Sequence, residues 1–300
     1  MTVSSLPYAV FGVTGRTGAA AADALLQAGQ RVRVVVRNPA QGQPWAERGA
    51  EVAVADLTDV ASMARALRNV RGAYVVCPQH YGHEDLFERA ALIADTVAKA
   101  SVAAGVPRLV ALSSVGADRD SKIGWIAMNR VFEQRVGDAG VPTIFLRAAY
   151  FMENWTPLVQ QAVRTGTLPT FLAPAQRRLP MVATVDVGRA AAALMQEEWT
   201  QTCAVTLTGP QDYSPHDVAD AVSATIDKPV DVAVLPPEEW PLALAGAHFS
   251  NAALAGFTEM TVGLNSSHID ITSDASAVQR AGTTALEQVI AVIARSQSPA

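Results

Sequence analysis

Residues Tyr8-Ala9-Val10-Phe11-Gly12-Val13-Thr14-Gly15-Arg16-Thr17-Gly18 decide how the chain folds. An apolar run of four leads straight into glycines spaced three apart, and an alanine-rich stretch follows. Strand, glycine turn and helix start, in that order, make a seat for a dinucleotide pyrophosphate. Gly12 permits the tight turn, Gly15 lets the backbone approach a phosphate with no Cβ between them, and Gly18 lets the helix pack close to the strand. The unpaired N–H groups of the helix start then face the anion. Thr14, Arg16 and Thr17 complete the turn and are expected at the cofactor with the glycines.

The next strand sharpens the identity of that cofactor. Gln27 to Gly29 end the first helix, and Arg31-Val32-Arg33-Val34-Val35-Val36 reads as a buried parallel strand. A site for NAD would carry Asp or Glu at the strand's tip, about 20 residues past the glycines, to hold the ribose hydroxyls. Arg37 stands there instead, followed by Asn38-Pro39. A guanidinium fork suits a 2′-phosphate, and Arg16 is expected to reach the same group, so the expected cofactor is NADP(H).

Working outward, strands and amphipathic helices alternate to about residue 150. Strands are expected at 51–55, 73–76, 109–112 and 143–146, with helices near 15–28, 60–68, 84–104 and 125–138. This is the pattern of repeated βαβ units, a Rossmann-type doubly wound parallel α/β sheet. Gly105 and Gly140 are expected to end the third and fourth helices. Beyond 150, prolines become frequent. A helix opens at Asp186 and runs to Gln196, a strand follows at 204–207, Ser214 caps a further helix, and 230–235 reads as another strand. The stretch 238–265 is weakly periodic and broken by glycines, the expected cap over an apolar pocket. The Rossmann domain is therefore assigned to residues 1–155, with 180–210 returning to it. Residues 156–179 and 211–300 form the smaller α+β cap, with a frayed tail past 294.

Composition limits the alternatives. Of 300 residues, 50% are hydrophobic and 17% charged, as in a globular protein. A net charge of −5 and a pI near 5.5 leave no footprint for nucleic acid, and the pair Arg177-Arg178 is too short to form a patch. No signal peptide and no apolar run of membrane-spanning length are seen. Two cysteines, Cys77 and Cys203, make neither a disulfide framework nor a zinc site, and His80, His83 and the nearby acids lack metal-ligand spacing. A cytoplasmic protein acting on a small molecule is expected, with no metal.

The turn Gly12–Gly18, the segment Val36–Pro39, Ala55-Asp56-Leu57, Ser113-Ser114 and Leu146-Arg147 with Phe151-Met152-Glu153-Asn154 together resemble the NmrA-like branch of the atypical short-chain dehydrogenase/reductases. The resemblance covers most of the first 190 residues. It implies that Asp56 and Leu57 lie at the adenine, Cys77-Pro78 pass the ribose and pyrophosphate, and Ser113, Ala148 and Ala149 surround the nicotinamide. It also exposes a departure. Ordinary members of the superfamily carry Tyr-x-x-x-Lys on the helix after the fifth strand, where lysine lowers the tyrosine pKa for proton transfer. Counted back from Glu133, those positions hold Trp125 and Asn129, and no Tyr-x-x-x-Lys occurs anywhere.

Without that acid, an enzyme here needs a substrate whose reduced form is a weak base. A quinone fits, because its product is a phenolate whose conjugate acid has a pKa near 10, whereas a ketone would leave a far more basic alkoxide. Tyr150, Ser114, His80 and Tyr81 are the candidate proton donors or substrate hydrogen-bonding groups. Trp125, Asn129, Phe151, Asn154, Trp240 and Phe249 are the expected substrate pocket, for a hydrophobic, conjugated molecule. Cys77 reads as a small packing residue. Two other readings stand beside the reductase: an NADP(H)-sensing regulator without turnover, working with a protein partner or as a homodimer, and a non-redox enzyme of secondary metabolism on the same fold.

Overall fold

A computed structural model of the chain describes residues 6–270 and 277–296. Its first half alternates strictly: β1 (Tyr8–Phe11), α1 (Arg16–Gln27), β2 (Val32–Val36), a short α2 (Gln43–Ala46), β3 (Glu51–Val54), α3 (Val60–Leu67), β4 (Gly72–Val75), α4 (Leu86–Ala104), β5 (Leu109–Ser114), α5 (Ile126–Gly137) and β6 (Thr143–Ala148). Local chemistry sets several boundaries. Asp59 caps α3 by accepting from the N–H groups of Ala61 and Ser62, and Gly105, at φ +65°, ends α4. Three expectations shift. β5 and β6 run two residues past their apolar runs, because pairing continues through Ser113–Arg147 and Ser114–Ala148. Helix α4 starts at Leu86, leaving His83 and Glu84 in the preceding loop, and α5 stops at Gly137, three residues before Gly140.

The second half contains β7 (Tyr150–Phe151), α6 (Thr156–Thr165), β8 (Thr167–Thr170), β9 (Leu179–Val182), α7 (Thr184–Gln196), β10 (Cys203–Thr208), β11 (Asp212–Tyr213), α8 (Pro215–Ile226), β12 (Asp231–Val234), α9 (Trp240–Ala243), α10 (Asn251–Asn265), β13 (Val278–Ala281) and α11 (Leu286–Arg295). Eight strands form one parallel sheet in the order β13-β10-β6-β5-β4-β1-β2-β3. The connection reverses between β1 and β4, so the carboxyl ends of those strands frame the usual ligand crevice of a doubly wound fold. Side chains alternate across the sheet. Tyr8 and Val10 pack with Ala21, Leu25, Ala191 and Met195 under α1 and α7, while Ala9 and Phe11 pack with Met63, Ile93, Val97 and Phe132 under α3, α4 and α5. Alanine and glycine let α1 and α7 approach closely: a Cβ on Gly188 would lie 2.4 Å from Ala20 Cβ.

A third core around Trp155, Tyr213, Leu168 and Ile290 joins α6, α8 and α11. Residues 211–300 are not confined to this body, because β13 pairs in parallel with β10 in the main sheet. Buried Asp186 fastens that return, accepting from Thr283 N–H (2.9 Å), Thr284 N–H (2.7 Å) and the Thr284 hydroxyl (2.9 Å). Helix α10 is continuous through Gly256 and Gly263. These glycines are close-packing points rather than breaks, since a Cβ on Gly256 would lie 2.7 Å from Trp125 Cδ1. Among the described residues no helix is long and apolar enough to cross a membrane. The expectations for the extreme N-terminus and for the tail fall on residues 1–5 and 297–300, outside the described residues.

Candidate active site

The glycine turn has the geometry its spacing predicts. Gly12 sits at φ +69°, and a Cβ there would lie 2.6 Å from Val76 Cγ2; a Cβ on Gly18 would lie 2.3 Å from Gly12 O. Gly15 differs, with only Gly12 O within 4 Å of its Cβ position, at 3.4 Å, so its outer face is open. It is also the N-cap of α1 and carries no capping side chain, which leaves first-turn N–H groups for an outside acceptor. Thr14 and Arg16 are exposed beside it and Thr17 is half-buried.

Arg37 is exposed at the end of β2, and its charge bears on Asp56 and His80. Asp56 Oδ1 accepts from the Thr58 N–H (2.8 Å) and hydroxyl (2.7 Å), and these bonds hold its carboxyl below the ordinary range. Leu57 is half-buried against the second core. Cys77 and Pro78 follow β4, and burial pushes the Cys77 thiol up to about 12, so it stays a neutral packing group. Arg16 lines two cavities beside Glu153 and Thr156.

A cavity of about 990 Å³ opens at the carboxyl ends of β5 and β6. Ser113, Ser114, Ala148, Ala149 and Tyr150 form its floor, Trp125, Asn129, Phe151 and Asn154 line it, and Tyr81, Phe249, Phe257 and Met260 close the cap side. Two expected residues are not in the lining. Trp240 supports the wall from behind: its indole N–H donates to Leu235 O (2.8 Å) and its ring packs edge-on to Phe171 and Phe257. His80 lies outside the cavity; desolvation, then the Arg89 charge, lowers its pKa and keeps it neutral at pH 7.

Trp125 fastens the cap. Its indole N–H donates to Ala253 O at 2.7 Å, and its ring stacks on Tyr81 at 3.8 Å between the edges of Phe249 and Phe257. The loop after β4 grips the same helix: Glu84 accepts from the N–H groups of Asn251 (2.9 Å) and Ala252 (3.0 Å), while Ser250 donates to Tyr81 O and His83 O. Glu84 thus caps α10 rather than starting α4. Burial raises the Tyr81 phenol well above its usual range. Tyr150 is pushed up to about 12 by burial, against a smaller opposing hydrogen bond from the Asn154 side chain.

Under the floor lies a network the sequence reading missed. Ser113 Oγ donates to Glu133 Oε1 at 2.5 Å, and Arg147 grips the same carboxylate through Nε (2.9 Å) and Nη2 (2.6 Å), with Asp118 3.8 Å from Nη1. All three core members are buried. Ser113 therefore turns its proton away from the cavity and offers lone pairs toward it. Ser114 likewise commits its proton, to Val115 O at 3.0 Å. The available signal was an arginine inside a strand and a glutamate on the buried face of α5, each intolerable without the other.

The sequence profile of the NmrA-like family matches residues 8–276. An NAD(P)H azoreductase of Xenophilus azovorans is 28% identical over 240 residues, covering 79% of this chain and 80% of that one. A (4-alkanoyl-5-oxo-2,5-dihydrofuran-3-yl)methyl phosphate reductase of Streptomyces griseus is 29% identical over 225 residues, 74% of each chain. The crystal structure of an NADPH-dependent quinone oxidoreductase from Escherichia coli, complexed with NADPH, superposes with a TM-score of 0.80 at 22% identity, over 95% of this chain and 99% of that one.

Proposed function

The chain belongs to the NmrA-like family, and on that premise we propose that it is an NADPH-dependent reductase that passes hydride to a conjugated, quinone-like acceptor. The observation that carries this reading is the open apolar cavity at the ends of β5 and β6, beside Trp125 and Asn129 where a tyrosine–lysine pair would otherwise stand.

The residues present fit the cofactor. The open face of Gly15 and the uncapped start of α1 suit a pyrophosphate, and exposed Arg37 suits a 2′-phosphate. Bound NADPH supplies the hydride. Ser113, fixed as an acceptor by Glu133 and Arg147, is suited to receive a hydrogen bond from the nicotinamide carboxamide. Ala148 and Ala149 keep the floor shallow, and the Tyr81–Trp125–Phe249 cluster excludes water and orients a flat ring system. Tyr150 stays protonated through the neutral range and is the weak donor within the cavity. A donor this weak suffices for an acceptor whose product is a phenolate or comparably weak base, and not for a ketone. The names of the relatives point the same way: an azo compound, an unsaturated lactone and a quinone are all conjugated acceptors. A cytoplasmic location belongs to the same proposal, supported by two free cysteines.

The test is NADPH oxidation, followed at the nicotinamide absorbance, against quinones, enones, azo dyes and simple ketones. Turnover of the conjugated acceptors without the ketones is expected. Tight NADPH binding with no oxidation by any acceptor would overturn the reductase reading in favour of a sensor. Light scattering on the same samples reads whether cofactor occupancy recruits a second copy or a protein partner.

A further inference from the structure

At its cap end the cavity is not purely apolar. Arg177 lines it, on the loop between β8 and β9, together with Ser267 just past α10. The guanidinium is held in an unusual way. Nη1 donates to Asn265 O (2.5 Å) and Ser267 Oγ (3.2 Å), and Nη2 donates to Leu264 O. Two of these acceptors are carbonyls at the C-terminal end of α10, so one edge of the fork is anchored to backbone. The other edge, Nε–H with the second Nη2 hydrogen, has no partner among the described residues, and no carboxylate among them pairs with the charge. The neighbouring Arg178 is different: it is neutralised by Asp217 at 2.6 Å. The acids lining the same cavity are already engaged, Glu153 with the Thr184 N–H and hydroxyl and Asp270 with Arg119. Burial alone lowers the Arg177 pKa, the mark of a cation short of compensating charge.

A half-buried cation with a rigid anchored edge and a free side-on edge has the form of a bidentate anion receptor. We infer that Arg177 is an anion seat at the cap end of this cavity, and that the preferred ligand is a flat conjugated molecule carrying a sulfonate, carboxylate or phosphate monoester. The aromatic cluster takes the ring system and Arg177 takes the charge. That this ligand is also the hydride acceptor rests on the reductase reading; that the cavity binds it does not.

Two measurements keep those claims apart. The first is equilibrium binding of the redox-inert pair 2-naphthalenesulfonate and 2-naphthalenesulfonamide to the full chain with NADP⁺. A charge-assisted pair makes the sulfonate bind about ten- to a hundredfold more tightly. In Arg177→Gln that preference disappears while sulfonamide binding holds, and Arg177→Lys retains part of it. Equal affinity for the two ligands in the wild type would overturn the inference. Equal loss of both in Arg177→Gln would do so too, since it would make Arg177 only a fastener of the loop. The second measurement is turnover of 1,2-naphthoquinone-4-sulfonate against 1,2-naphthoquinone. A KM advantage for the sulfonate over the neutral quinone, lost in Arg177→Gln, is expected. Absence of turnover with an intact sulfonate preference in binding would sink the reductase reading and leave the anion seat standing.

Discussion

The glycine turn at the start of α1 and the cavity at the ends of β5 and β6 are built on opposite principles. The turn uses backbone: Gly12, Gly15 and Gly18 matter for the atoms they lack, and the start of α1 presents N–H groups that any sequence would have. The cavity uses side chains drawn from distant parts of the chain, with Tyr81, Trp125, Phe249 and Phe257 brought together by the docking of α10. Recognition by backbone survives wide divergence of sequence, whereas recognition by packed side chains can change its ligand with a few substitutions. Trp125 illustrates the second case, since it is the post that anchors the cap through Ala253 O and the Tyr81 ring.

The comparison is broken most severely where the Rossmann half itself depends on side chains. Arg147→Met strands the Glu133 carboxylate in the core and is expected to cost about 3–5 kcal/mol in urea unfolding; a loss under about 1 kcal/mol would show that the network is solvated. Gly15→Ala adds a methyl group to open space. It is expected to leave the melting temperature unchanged while weakening NADPH binding roughly ten- to hundredfold, read by nicotinamide fluorescence. Trp125→Phe removes the bond to Ala253 O and loosens α10 at a cost of about 1 kcal/mol. Acceptor KM should rise with the NADPH dissociation constant unmoved, so a shift in both would blur the division between the two regions. The smallest effect is that of pH. Because burial raises the Tyr150 pKa above its unfolded value, its contribution to stability is complete below about pH 10 and is lost as pH rises through about 12. A rate profile flat from pH 6 to 9 is expected, and a break near 7 that persists in Tyr150→Phe would assign a different acid.

Strand and helix positions through residue 148 were legible because burial on both faces of a parallel sheet leaves near-continuous apolar runs, and capping residues such as Asp59 and Gly105 mark the ends locally. The extension of β5 and β6 through Ser113 and Arg147 was not legible, because polar residues in a central strand are tolerated only when a partner from another element satisfies them. Gly256 was misleading for a related reason: a glycine inside a helix looks like a break until the Trp125 ring is seen against it.

The sequence by itself determined the parallel sheet, the glycine turn at the head of α1, the arginine at the tip of β2 and the absence of a Tyr-x-x-x-Lys pair, since each depends on residues close together in the chain or on the identity of a single position. The tertiary structure alone decided that β13 rejoins the sheet, that Glu84 caps α10, that Ser113 faces Glu133 and Arg147, and that Arg177 reaches the cavity with no carboxylate beside it among the described residues. Each of these joins groups far apart in sequence, and a side chain's partner, and hence its chemistry, depends on distance in space rather than along the chain.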